Sequence, residues 1–113
     1  MSVKIKLFLD DDCHSTERRR LAEGYDVWVD RAQDAIAYLS KGNVSHISLD
    51  HDLGDQDLVG SGYDVAKWIE EAAYEGKIPR LEWRCHSANP VGRRNMEKAL
   101  ESADNFWSRG RGR

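Results

Sequence analysis

Ser48-Leu49-Asp50-His51-Asp52-Leu53-Gly54 is the stretch that decides how this chain reads. An apolar run, Ile47 to Leu49, stops at two carboxylates that flank an imidazole, and a glycine and a polar loop follow. Aspartate is disfavoured inside strands, so a strand ends here and leaves Asp50, His51 and Asp52 at its carboxyl edge. The chain builds the same figure earlier, at Leu7-Phe8-Leu9-Asp10-Asp11-Asp12. Side by side, the two strand ends would gather up to five carboxylates in one cleft. Such a cluster must be solvated, hold a cation or carry raised pKa values.

Outward from these edges, strand and helix patterns alternate. Val3 to Leu9 reads as the first strand, and a short helix follows within Cys13 to Glu23, closed by Gly24. Tyr25 to Val29 alternates as a second strand. Asp30 is positioned to cap the next helix, with Gln33 completing a capping box, and Ala32, Ala35, Ile36 and Leu39 form its apolar stripe. Val44 to Leu49 is the third strand, and Asp50 to Gly60 reads as a loop. Ser61 caps a helix with Asp64 as its N3 residue; Val65, Trp68, Ile69 and Ala72 are its buried face. Leu81 to Cys85 is the fourth strand. Asn89-Pro90 then starts a helix, a capping side chain followed by proline at the first helical position. Met96, Ala99, Leu100 and Ala103 line that helix.

Strand–helix alternation of this kind implies a parallel sheet with right-handed crossovers. The expected order is 2-1-3-4, with the ligand site at the carboxyl edge beside the switch point. Asp10 to Asp12, Asp50 to Asp52 and His86 to Asn89 all fall there. Lys4, Lys6, Ser45 and Ser48 stand where a two-sided core wants hydrophobes, so one sheet face is expected to be thinly covered. Phe106 and Trp107 are candidates to fold back onto it.

The 113 residues fit one domain, expected over residues 1–105, with 106–113 a basic, flexible tail. The chain offers no apolar run long enough for a membrane span or signal peptide. A net charge of −3 gives no general affinity for nucleic acid. Cys13 and Cys85 lack metal or redox spacing and read as reduced thiols, which points to a cytoplasmic protein.

Acids after the first and third strands and a hydroxyl after the fourth resemble the receiver domain of response regulators. The resemblance implies that Asp10 and Asp11 help bind Mg²⁺, that Asp50 stands at the phosphorylated position, and that Ser87 matches the conserved hydroxyl. The chain departs from that pattern in having no lysine after a fifth strand. Four segments are similar to a narrower family, the cyclic-phosphate-processing receiver-like domain of bacteria and phages. They are Leu7-Phe8-Leu9-Asp10-Asp11, Ile47 to Gly54, Gly62-Tyr63-Asp64-Val65-Ala66-x-Trp68-Ile69, and His86-Ser87-Ala88-Asn89-Pro90-Val91-Gly92-x-x-Asn95-Met96. The implied fold is α/β: a three-layer receiver-like (flavodoxin-like) parallel sheet, lacking a clear fifth strand and helix. The implied role is metal-dependent attack on cyclic phosphates.

For Asp10 alone, a solvated turn aspartate is the simplest account. The two acidic edges together favour a divalent cation, Mg²⁺ or Mn²⁺, held by Asp10, Asp11 and Asp50 with Asp52 assisting. His86, beside negative charge, suits a general acid, and Ser87 a phosphate oxygen. Asn89, Ser61 and Gly62 start helices whose amides can face an anion. Arg93 and Arg94 are candidates to neutralise a phosphate, and His51 stands between packing and phosphate contact. These residues lead to a metal-dependent phosphoesterase acting on a cyclic or terminal phosphate of a nucleotide or RNA end. The alternative is a receiver-like phosphoacceptor or nucleotide-binding signalling module without turnover. A third possibility, a haloacid-dehalogenase-type phosphatase, rests on Asp10-x-Asp12 alone.

Overall fold

The computed structural model describes residues 4–111, with the backbone alone at 110 and 111. Val3, expected in the first strand, lies outside the described residues, as do 112 and 113. Four strands form one parallel sheet in the order β2-β1-β3-β4: β1 (Ile5–Leu9), β2 (Val27–Val29), β3 (Val44–Leu49) and β4 (Glu82–Cys85). The expected order is therefore the observed one. Register places Leu9 opposite Val29 and Leu49, and Leu49 opposite Cys85, so the strands end level with one another.

The ladder runs one residue past each of these ends. Asp10 N–H donates to Val29 O, Asp50 N–H to Leu9 O and His86 N–H to Leu49 O. Asp10, Asp50 and His86 therefore share one register row. At the opposite end of β2 the expected strand residue Asp26 pairs differently. Its N–H donates to Lys6 O, and its carboxylate takes the Lys6 N–H.

Three helices cover one sheet face: α2 (Ala32–Leu39), α4 (Gly62–Glu75) and α5 (Pro90–Phe106). Their stripes close over Leu7, Leu9, Ile47 and Leu49 in one core that includes Val65, Ile69, Met96 and Leu100. Non-polar area removed from water is what holds these layers together, and fully burying one such side chain contributes about 1.5–3 kcal/mol. α4 carries the expected capping box, Ser61 Oγ with Asp64 N–H and the Asp64 carboxylate with Ser61 N–H. Gly76 ends it in the left-handed conformation. α5 starts as expected, with the Asn89 side chain on Gly92 N–H and Pro90 inside the first turn.

The other face is the thin one. It carries α1 (Thr16–Leu21), a helix with no buried residue. Phe8 is nevertheless fully buried there. Its ring meets Tyr25 and Trp28 edge-on and stacks on His86 at 4.6 Å. Ser48 and Arg84 lie alongside, with the Arg84 guanidinium over the Tyr25 ring. Aromatic and polar side chains thus form a cover that elsewhere a helix would supply.

Several expectations change. α2 starts at Ala32 with Arg31 at the cap position and no side-chain cap, so Asp30 and Gln33 form no capping box. Ala32, the first residue of the helix, is buried beside the Gly60 turn. The loop after Asp50 contains one turn of helix, α3 (Gln56–Val59), capped by Asp55. α5 runs to Phe106, and a π-helical segment, Trp107–Arg111, continues it. Trp107 is buried in the helix-covered core, with its indole N–H on Ile78 O, and Phe106 meets Tyr74. Neither ring folds onto the thin face, because α5 itself lies on the other side. No helix among the described residues is long and apolar enough to cross a membrane.

Candidate metal and phosphate site

Asp10 is fully buried at the end of β1. One carboxylate oxygen accepts the Asp12 N–H at 2.8 Å, which turns the chain away from the strand. The other accepts from Arg18 Nη1 at 2.7 Å and faces His86 Nε2 at 2.8 Å. Its main-chain oxygen takes the Trp28 indole N–H. Burial pushes the Asp10 carboxyl up, but His86, the Asp12 amide and Arg18 together outweigh burial and hold it below the ordinary carboxylate range. Asp50, buried one strand over, shows the opposite balance. Burial and the charge of Asp10 raise it, although Arg18, His86 and the His51 amide pull the other way. One arginine serves both acids, with Nη1 3.5 Å from Asp50.

His86 is fixed at both nitrogens. An ionised Asp10 can only accept, so Nε2 carries the proton in that bond. Nδ1 meets Ser48 Oγ at 2.7 Å, and Ser48 Oγ also accepts from Arg84 Nε at 2.8 Å. With Phe8 stacked on the ring, the imidazole has one orientation.

Asp10, Asp50 and His86 each offer a ligand atom, all within 4.8 Å of one another. Ligand atoms around one ion lie about 4–5 Å apart at most, given bond lengths of about 2.0–2.6 Å. Two carboxylates and an imidazole thus fit a divalent ion, and the imidazole favours Mn²⁺, Fe²⁺ or Zn²⁺ over Mg²⁺. Ser48 Oγ would then accept a hydrogen bond from Nδ1–H, the outer-shell support that histidine ligands usually have.

The family described as the cyclic-phosphate processing receiver domain matches residues 5–102. This chain belongs to that family. A signal receiver domain of a Luxo repressor protein from Vibrio parahaemolyticus is similar at 18% identity and a TM-score of 0.47, over 92% of this chain and 93% of that one. No curated protein matches.

Within this cyclic-phosphate processing receiver domain, the expected residues separate into two groups. Asp10, Asp50 and His86 come together. Asp11 does not join their cluster; its residue is exposed overall, but what hydration its carboxyl loses beside the turn, and then the Asp10 charge, raise it. Asp52 also stands outside it. Its exposed carboxylate pairs with His51 Nδ1 at 2.8 Å and, more loosely, with Asn89. The His51 hydrogen bond, with smaller help from Asn89, holds the Asp52 carboxyl down. His51 itself packs on Gly92, where any Cβ would collide with the ring.

The helix starts are largely spent on their own geometry. Ser61 Oγ takes the Asp64 N–H, and Gly62 N–H donates to His51 O. A Cβ at Gly62 would overlap the Asp50 carbonyl and the Met96 sulfur. At α5, Pro90 has no N–H, and the Gly92 and Arg93 amides both go to Asn89. Ser87 is buried, and its hydroxyl accepts the Asn89 N–H. Arg93 faces Glu97 at 3.2 Å, and Arg94 is exposed.

Three contributors escape the sequence reading: Arg18, Ser48 and Phe8. Arg18 sits in a basic run, Arg18-Arg19-Arg20, that carries no motif. A usable signal exists in Ser15, whose hydroxyl caps α1 on Arg18 N–H and so starts the helix with Arg18 in its first turn.

Proposed function

We propose that this domain is a metal-dependent phosphoesterase acting on a cyclic or terminal phosphate of a nucleotide or RNA end. The observation that carries the reading is the shared register row of Asp10, Asp50 and His86 at the carboxyl edge, in a chain of the cyclic-phosphate processing family. Asp10 and Asp50 would hold Mg²⁺ or Mn²⁺. When bound, the ion supplies charge for the phosphoryl oxygens and a more acidic water. Burial and the nearby Asp10 charge keep Asp50 ready to share its charge with a cation. In this reading His86 stays out of the ion's ligand set, keeps its Nε2 proton inside the site and is the donor at hand for the leaving oxygen. Ser48 and Phe8 keep that ring from turning. Ser87 and Asn89 shape the turn that follows His86, and Asn89 ties it to Asp52.

The test is turnover of a panel of 2′,3′-cyclic and other cyclic phosphates with Mn²⁺ or Mg²⁺. Hydrolysis that is lost in Asp50→Ala and in His86→Ala supports the reading. No turnover by the wild type, or turnover unchanged in both variants, overturns it. A stable gain of one phosphoryl group on Asp50 after treatment with a small phosphodonor would favour the signalling alternative.

A further inference from the structure

Arg18 is the most exposed member of the buried constellation, at 20% of its side chain against 0% for Asp10, 7% for Asp50 and 5% for His86. A single nitrogen, Nη1, makes both carboxylate contacts. Nε and Nη2 donate to no group among the described residues, so one edge of the guanidinium fork is open. The planar fork matches two phosphate oxygens at once, which an ammonium cannot do. The guanidinium is therefore the part of this constellation that solvent reaches most readily.

We propose that Arg18 is a phosphate-binding residue of this site, held between Asp10 and Asp50 as their counter-cation until a divalent ion takes the acids. The inference rests on the phosphoesterase reading for its metal. Arg18 and the ion neutralise the same two charges, so each weakens the hold of the other on them. Released from the acids, the guanidinium stays beside them on α1 and turns its fork to the phosphoryl oxygens. The inorganic balance is simple: one cation enters, one cation moves aside, and the phosphate brings the negative charge that Arg18 has lost.

The experiment is a titration of the metal-free protein with Mn²⁺, read by the electron paramagnetic resonance of free Mn²⁺. A second titration, with inorganic phosphate, is made on the Mn²⁺-loaded protein. Wild type is compared with Arg18→Ala and Arg18→Lys, with circular dichroism confirming the fold. Removing a unit positive charge 2.7 Å from Asp10 and 3.5 Å from Asp50 should tighten Mn²⁺ binding by about tenfold or more and weaken phosphate binding by a similar factor in R18A. R18K keeps the charge and should stay within about threefold of wild type for Mn²⁺. Mn²⁺ affinity unchanged in R18A, or phosphate affinity unchanged, overturns the proposal. If neither wild type nor R18A binds Mn²⁺, the phosphoesterase reading fails, and the proposal falls with it, because Arg18 is freed for phosphate only when an ion takes the acids; Mn²⁺ binding that R18A leaves unchanged sinks the proposal alone.

Discussion

Gly62→Ala tests how tightly the site is built into the fold. The Cβ of an alanine at 62 would fall on the Asp50 carbonyl oxygen and on the Met96 sulfur. The sulfur can rotate away. The carbonyl cannot, because it belongs to the strand end that also presents the Asp50 carboxylate. Overpacking against main chain costs about 3 kcal/mol, at the upper end of the usual 1–3 range. Replacing glycine in a helix returns up to about 1 kcal/mol. The net loss of about 2 kcal/mol should lower the melting temperature by roughly 8 °C for a domain of this size. Thermal melts followed by circular dichroism measure this. The same melts in a Met96→Ala background separate the two contacts. If the sulfur were the obstacle, G62A would cost nothing there; with the carbonyl as obstacle the full cost persists. A G62A protein melting within a couple of degrees of wild type would refute the reasoning.

Other consequences are open to measurement. Asp10 has a depressed folded pKa, so its contribution to stability is present above its unfolded value of about 3.8 and lost as pH falls through the folded value. Asp50, raised, works in the opposite sense: its ionised form opposes folding near neutrality, and protonation relieves it. Urea melts from pH 3 to 7 should therefore show Asp10→Asn flattening the acid loss, and Asp50→Asn more stable than wild type at pH 7; a destabilised D50N would contradict the burial argument. Ser48→Ala strips the shared hydroxyl from His86 and Arg84, and should cost about 1–3 kcal/mol, chiefly by leaving the nearly buried His86 Nδ1 unpaired, since Arg84 is exposed and can turn to water. A Ser48→Ala protein as stable as wild type would mean that this link is dispensable. Burial pushes the Cys85 thiol up to about 12, whereas Cys13 is exposed. Iodoacetamide at pH 8 should add one label to the native protein, at Cys13, and mass spectrometry would show two if Cys85 were reactive.

The parts of the fold that show in the sequence are those written in repeating signals. Alternation in Leu7, Leu9, Ile47 and Leu49, and stripes such as Met96, Ala99, Leu100 and Ala103, each mark a face that one layer buries. Asn89-Pro90 and Ser61 to Asp64 mark helix starts through local hydrogen bonding, which needs no tertiary partner. Asp30 has the same local chemistry, yet the helix starts later, at Ala32, with Arg31 in the cap position. α3 is one turn long and too short to show a period. The thin face resisted reading for a different reason. Phe8, Trp28, Ser48, Arg84 and His86 come from four segments and meet only through register, so no stretch of chain displays them as a group. Asp10 and Asp50 were legible as strand ends. That one arginine binds both was not, because it depends on how a six-residue helix lies across the sheet.

That helix has a consequence of its own. α1 buries no residue, and six residues are too few to stay helical unaided. It is held by the Ser15 cap, by Arg84 on Leu21 O, and by the two ion pairs of Arg18. Its amides should exchange with deuterium through local opening, at a rate governed by those few bonds and independent of global unfolding. The exchange rate along residues 19–22 therefore reads out whether the acids are occupied, and does so without a substrate or a turnover assay.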